Sequence, residues 1–320
     1  MASQPVRGAL IAHEQVRSAA ARAARYLSPT PLVPLDGGRW LKLDCLQPAG
    51  SFKVRGYFAA ALALPEERRR GGLLTVSAGN AAAGCAYVAH RLGVPCRVVM
   101  VEGAPSPKVE AVHRWGAEPI FLPRDRLFAW MRDRGWEREP EHFIHPHTDQ
   151  VLAAGHGGIG LELLDQLPEI RRVLVPVGGG GLVTGVAAAL PARPRAGIEV
   201  VGVVAGGYPL WPRAMEAGGE VHLTPRTIAD GTAAPYNPVM HERLRTAVDR
   251  WLIVSEARLR GAIGELALRA GVVAEGAGAL AYAALEQLDD DRPSVALVSG
   301  GNIEPALLAE VLDERSRPGE

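Results

Sequence analysis

Residues 50–56 read Gly-Ser-Phe-Lys-Val-Arg-Gly, and the lysine at their centre is out of character for this chain. Of 35 lysines and arginines only three are lysines, Lys42, Lys53 and Lys108. A lysine amine can lose its proton and add to a carbonyl, whereas a guanidinium effectively cannot. Two readings of Lys53 stand at this point. It is a plain cation at the surface or at a helix start, the usual fate of lysine, or a nucleophile set in a shaped turn between Phe52 and Val54.

A second stretch, residues 173–190, runs from an apolar strand into Gly178, Gly179, Gly180 and Gly181 and then into an Ala/Val-rich helix. Glycines let a ligand approach the backbone, and a helix N-terminus offers free N–H groups and the positive end of a dipole. That is a phosphate cradle; the plainer reading is a tight strand-to-helix turn. The dinucleotide spacing fails here, because the third glycine falls due at Val183, and no Gly-Lys-Ser/Thr follows as in a nucleotide-triphosphate loop. The dinucleotide spacing does occur at Gly155, Gly157 and Gly160, but residues 149–154 before it do not read as a strand. It reads as a chance match in a glycine-rich helix start.

Residues 73–80, Leu-Leu-Thr-Val-Ser-Ala-Gly-Asn, repeat the pattern of strand, polar turn and helix. Ser77 and Asn80 there either cap the helix or, with the first free N–H groups, hold a small carboxylate. Val298-Ser299-Gly300-Gly301-Asn302 closes a further strand, where a serine ordinarily serves the turn. His145, His147 and Asp149 match no defined metal spacing and have no cysteine nearby, so no metal is expected. No Gly-x-Ser-x-Gly is present to support a hydrolase. A phosphate cradle with an imine-forming lysine points to pyridoxal phosphate, which carries both an aldehyde and a phosphate.

The elements around these residues alternate. Strands are expected at 73–76, 97–101, 173–177, 200–204, 252–254 and 295–298, and helices at 81–92, 108–115, 182–190, 256–270 and 278–288. Strands alternating with helices of that length imply crossover units and mostly parallel sheet, buried on both faces. Residues 123–149 shift to charged and aromatic composition, as where one α/β unit ends and the chain returns to another. The polar tail from Asp313 is expected to fray.

The totals fit one large or two interleaved α/β domains: 320 residues, 48% hydrophobic, 22% charged, formal net charge zero. A neutral chain has no field to draw nucleic acid or an anionic membrane. No apolar run reaches membrane-spanning length, and the first residues lack the apolar core of a signal peptide. Cys45, Cys85 and Cys96, odd in number and far apart, read as reduced thiols in a cytoplasmic protein.

Taken in order, the motifs resemble the fold-type II pyridoxal phosphate enzymes, a tryptophan synthase β-like class, and within it the serine/threonine dehydratase and serine racemase family. The resemblance spans nearly the whole chain: Thr30-Pro31-Leu32, residues 47–56, Ser77-Ala78-Gly79-Asn80, the four glycines, Ile228-Ala229-Asp230-Gly231, Glu275-Gly276-Ala277-Gly278-Ala279 and Ser299-Gly300-Gly301-Asn302. It implies two open parallel-sheet α/β domains, residues 1–56 with 147–320 holding the cofactor and 57–146 carrying the substrate loop. Lys53 would bind pyridoxal phosphate as a Schiff base and then work as the base at the α carbon. Phe52 would pack beside the ring. Gly178 to Gly181 and Leu182 would bind the phosphate, and Asn80 the ring oxygen. Ser77, Ala78, Gly79, Asn80 and Ala81 would form the substrate loop, with Ser77 also catalytic. Ser299 would face the pyridine nitrogen, where a neutral hydroxyl leaves a weaker electron sink than a carboxylate and suits prompt β-elimination.

The implied reaction turns a β-hydroxy amino acid such as L-threonine or L-serine into a 2-oxo acid and ammonia, in a cytoplasmic homodimer. Some positions depart from the pattern. Ala78 stands where racemases place a second serine, so racemisation is not expected as the main activity. Ala81 stands where dehydratases commonly have histidine. The glutamate that binds a divalent cation in the family is replaced near Val204-Ala205-Gly206. The C-terminal regulatory domain of the biosynthetic enzyme is not among these residues, and no feedback control through one is expected. Three hypotheses follow: an ammonia-lyase, a β-replacement enzyme or racemase on the same scaffold, and a non-catalytic amino-acid-binding descendant.

Overall fold

The computed structural model describes residues 11–190 and 197–316. Ten strands are assigned among them: β1 (Leu32–Leu35), β2 (Arg39–Leu43), β3 (Leu73–Val76), β4 (Cys96–Val101), β5 (Glu118–Leu122), β6 (His142–Phe143), β7 (Arg172–Pro176), β8 (Glu199–Ala205), β9 (Arg250–Val254) and β10 (Ser294–Val298). They form a six-stranded sheet in the order β1-β2-β10-β7-β8-β9 and a four-stranded sheet in the order β5-β4-β3-β6. All neighbours run parallel except β1 and β2. These are the two parallel-sheet α/β units of the expected fold class.

The central strands β7, β8 and β10 are buried at every residue, as parallel strands covered by helices on both faces must be. These three, with β3, β4 and β9, are the strands the apolar runs foretold. β1, β2, β5 and β6 were not foretold: β2 interrupts its apolar residues with Arg39 and Lys42, β5 opens on Glu-Pro, and β6 has only two residues. Residues 313–316 of the expected frayed tail close the helix Pro305–Ser316, and 317–320 lie outside the described residues.

Three helices meet beneath the lysine. The helix Lys53–Ala63, alanine-rich and buried from Val54 to Ala61, packs against His13–Ala23, Asn80–Leu92 and Gln150–His156. It ends where Leu64 turns extended ahead of Pro65, since a residue before proline avoids helical geometry. The spaced glycines 155, 157 and 160 lie inside helices or at their junction, where a side chain would strike Ala59 Cβ, Gly185 O or Ala189 Cβ. They are there for close helix packing. Cys85 and Cys96, free thiols on different elements, lie buried with their sulfurs 3.8 Å apart.

Under the N-terminal end of the lysine helix lies a buried charge cluster. Arg55 donates to both oxygens of Asp44 (2.7 and 3.0 Å) and to both of Glu162. Lys42, fully buried, donates to Glu162, to Gln166 and to the carbonyl of Thr30. Removing one partner of such a cluster would strand a buried charge at a cost of about 3–5 kcal/mol. The cluster therefore fixes the lysine helix against both β2 and the helix Gly158–Gln166. Thr30, from the Thr-Pro-Leu motif, adds its hydroxyl to Asp44 at 2.8 Å.

Candidate active site

Lys53 is the first residue of its helix, entered through two consecutive left-handed residues, Ala49 (φ 59°) and Gly50 (φ 73°). This turn is sewn to the end of β10: Phe52 N–H donates to Ser299 O (3.0 Å), Gly301 N–H to Gly50 O (2.9 Å), and Ser51 bridges Gly300. The Lys53 amine points inward, 3.3 Å from the carbonyl of Pro146 and 5.1 Å from the centre of the Phe52 ring. Desolvation lowers its pKa from 10.5 to about 8, while Glu275 pulls the other way. An amine so placed is not a plain surface cation.

The glycine loop faces the same segment. A Cβ on Gly179 would fall 2.3 Å from the His147 ring, and one on Gly178 would fall 2.7 Å from Thr232 Cα. Gly180 has φ 85° and caps the helix Gly181–Ala189, whose first-turn N–H groups have no acceptor within the helix. Leu182 is buried beside them. His147 thus sits between the lysine's carbonyl partner and the loop. Burial, then the charge of Lys53, holds it well below the usual histidine range, so its ring is neutral. His145 and Asp149 are spent on local backbone: His145 Nδ1 accepts from His147 and Thr148, and Asp149 caps the helix Gln150–His156. Among the described residues no group of three or more His, Cys, Asp or Glu is arranged to hold a metal.

The loop after β3 departs from simple capping. Gly79, not Ser77 or Asn80, is the cap of the helix Asn80–Leu92, and no side chain bonds its first turn. Ser77 Oγ accepts from Gly79 N–H at 3.0 Å. Asn80 instead reaches across to the other sheet, with Nδ2 donating to Glu275 and Oδ1 accepting from Asn302. Gly84, one turn along from Asn80, lies against Lys53, where a Cβ would meet Lys53 Cβ at 3.0 Å. Ser77 and Ala78 also border a cavity of about 220 Å³ with Val76, Arg124, Leu127 and Phe128. Ala81 is buried in the core of the four-stranded unit. Ser299 is buried at the end of β10.

Glu275 has no foreseen role. Buried at the start of the helix Gly276–Ala283, it has its pKa raised to about 7, by desolvation first and then by Asp230. The available signal was a glutamate in an otherwise small-residue stretch, Glu-Gly-Ala-Gly-Ala.

The parts suit pyridoxal phosphate: a desolvated amine for the aldehyde, and a loop without side chains at a helix N-terminus for the phosphate. Fold and site define an enzyme that works through that cofactor. Residues 24–300 match the model of the pyridoxal-phosphate dependent enzymes, and the chain belongs to that family. It is 36% identical over 291 residues to the L-threonine ammonia-lyase of Thermotoga maritima, covering 88% of this chain and 72% of the relative. The structure of the T.th. threonine deaminase is similar at TM-score 0.83 and 36% identity, covering 92% of this chain and 99% of that one. The structure of maize serine racemase is similar at TM-score 0.87 and 29% identity, covering 96% and 98%.

Proposed function

We propose that this chain is an ammonia-lyase that dehydrates and deaminates a β-hydroxy amino acid such as L-threonine or L-serine, giving a 2-oxo acid and ammonia. The observation that carries the reading is the Lys53 amine, its pKa lowered to about 8, set between the Pro146 carbonyl and the Phe52 ring, with His147 next to Pro146 packed on the glycine loop. The names of the L-threonine ammonia-lyase and threonine deaminase relatives support it.

Bound pyridoxal phosphate supplies an aldehyde for an amine and a conjugated ring that accepts the electron pair left at the α carbon. Lys53, Gly178 to Gly181 and Leu182 would hold it, with Phe52 along its ring, Asn80 at the ring oxygen and Ser299 at the pyridine nitrogen. The protein's own groups then divide the work. The loop Ser77–Ala81 holds the substrate carboxylate through backbone N–H groups and the Ser77 hydroxyl. Lys53, set free as an amine once the substrate's own amino group takes its place, takes the α proton. The hydroxyl leaves the β carbon as water with the proton that Lys53 took from the α carbon, and the enamine released hydrolyses to the 2-oxo acid and ammonia. His147, neutral, walls the site without adding charge near the phosphate loop.

The serine racemase likeness favours a second reading, inversion at the α carbon. Inversion needs a proton donor on the face opposite Lys53, and Ala78 has none to give. We also infer that the enzyme acts as a cytoplasmic homodimer, divided into a cofactor domain (1–56, 147–320) and a substrate-loop domain (57–146). The free state of all three cysteines supports the reducing setting. Among the described residues no helix is long and apolar enough to cross a membrane.

One experiment tests the activity. Purified protein is given a panel of β-hydroxy amino acids and scored for 2-oxo acid, ammonia and chirality, beside Lys53→Ala. The expected result is 2-oxo acid and ammonia in equal amounts from one or more substrates, and loss of both product and visible absorbance in the variant. Inversion without ammonia would overturn the lyase reading, and a colourless wild type would overturn the role of Lys53.

A further inference from the structure

Asn302 touches neither Lys53 nor the glycine loop, yet it joins the two segments that flank them. Its Nδ2 carries two hydrogens, and both are used: one goes to the carbonyl of Ala49 at 2.8 Å, the other to Asn80 Oδ1 at 2.7 Å. Ala49 is the left-handed residue that opens the lysine turn, and Gly50 after it leaves the room Asn302 occupies. A Cβ there would lie 2.2 Å from Asn302 Oδ1. The lysine turn is therefore shaped around this amide.

The second bond decides which way Asn80 faces. With Oδ1 turned to Asn302, Asn80 must present Nδ2 on its other side, where one hydrogen goes to Glu275 Oε1. The remaining Nδ2 hydrogen is left to donate, next to Gly300, whose Cβ would fall 3.1 Å from Nδ2, and on the face of the helix that meets Lys53 through Gly84. Pyridoxal phosphate carries its ring hydroxyl on the carbon adjoining the aldehyde. A donor held beside Lys53 is thus placed to serve that oxygen.

We propose that Asn302 is a positioning residue: it fixes the Asn80 amide in its donating orientation and ties that donor to the turn that carries Lys53. The inference rests on the cofactor being held at Lys53. Glu275 alone does not enforce the orientation, because a carboxyl that keeps its proton near neutral pH can donate to a flipped Asn80 as readily as an ionised one accepts from the unflipped form. The groups facing Glu275 are Asn80, Asp230, Lys108, Lys53 and the Cys45 thiol, which burial keeps protonated. Asn302, whose two donors are both committed, is the member that does not change with pH.

Asn302 is exposed, so water can take over its backbone bond, and its removal should cost little folding stability. That separates a positioning role from a structural one. The test uses holoenzyme of wild type, Asn302→Ala and Asn302→Asp, the last keeping the shape while replacing the donor with an acceptor. Three quantities are read: the visible absorbance maximum and its pH titration, the cofactor dissociation constant, and the unfolding midpoint of the protein without cofactor. Both variants should release cofactor about five- to tenfold more readily, the worth of one well-placed hydrogen bond. Their absorbance should shift and become pH-dependent across the range in which Glu275 titrates, with the unfolding midpoint nearly unchanged. A variant that matches wild type in absorbance and cofactor affinity overturns the proposal, as does one that changes only in unfolding midpoint. If wild type lacks the Lys53-dependent band, the cofactor reading has failed instead.

Discussion

A lysine amine is useful near neutral pH only if something makes its charge costly, and at Lys53 that something is burial. The folded pKa of about 8 lies below the ordinary 10.5, so between these values the unfolded chain binds more protons than the folded one. The cofactor-free protein therefore gains stability as pH rises through that window and bears the full penalty below it. Capture follows the same titration. Protein stripped of cofactor should take up pyridoxal phosphate at a rate that climbs with pH and levels off above about 8, followed at the visible band. A rate still climbing towards 10.5 would describe an ordinary exposed amine. Lys53 could be picked out from sequence because the chain avoids lysine and because Gly50 marks the turn before it; Gly56 lies inside the helix that Lys53 opens. Lys42 could not. Its burial depends on Glu162, 120 positions away, and no local pattern encodes that partner.

Among the elements, the glycines divide into two kinds that sequence alone does not separate. Gly179 stands in a loop bare of side chains against His147, whereas Gly185, four residues after the loop, lets two helices touch, with a Cβ there only 2.0 Å from Ala153 O. Overpacking costs about 1–3 kcal/mol at either place, but it should be felt differently. Gly179→Ala should push His147 aside, lowering the apo unfolding midpoint, and in addition weaken cofactor binding by about five- to a hundredfold. Gly185→Ala should lower that midpoint by about 2–10 °C and leave cofactor affinity of the folded protein intact. Cofactor titration and thermal unfolding of both variants check this, and the pattern fails if the two behave alike. The core strands were legible because burial on both faces leaves an unbroken apolar run. The edge strand β5 and the short β6 carry no such run, and they are visible only once β4 and β3 are in place to pair with them.

Across the whole molecule, an ion pair joins elements beside the two sheets. Lys108, on the helix Ser106–His113 beside the four-stranded sheet, pairs at 2.6 Å with Asp230, in a turn that packs on the helix Gly276–Ala283 beside the other sheet. The pair is exposed enough, at 27% and 64%, that its stability contribution is about 0–1 kcal/mol. Its expected effect is on approach of the two units. Lys108→Ala should raise KM with little change in unfolding midpoint, and salt should raise KM for wild type but not for the variant. Equal salt sensitivity in both would show that the pair has no part in holding the units together.

The position of β10 has a consequence in time. The strand that lies between β2 and β7 at the middle of the six-stranded sheet is the last of the ten to be synthesised. Asn302, just beyond it, meets Ala49 across 253 positions of chain. A growing polypeptide can complete the four-stranded sheet early, but until its end emerges it has no partner for the Ala49–Phe52 turn and no wall against Asn80. The amine at Lys53 then remains an ordinary hydrated lysine. Translation thus delays the closed setting of Lys53 until β10 and Asn302 have been made, so a product ended before them would carry the lysine in its hydrated state.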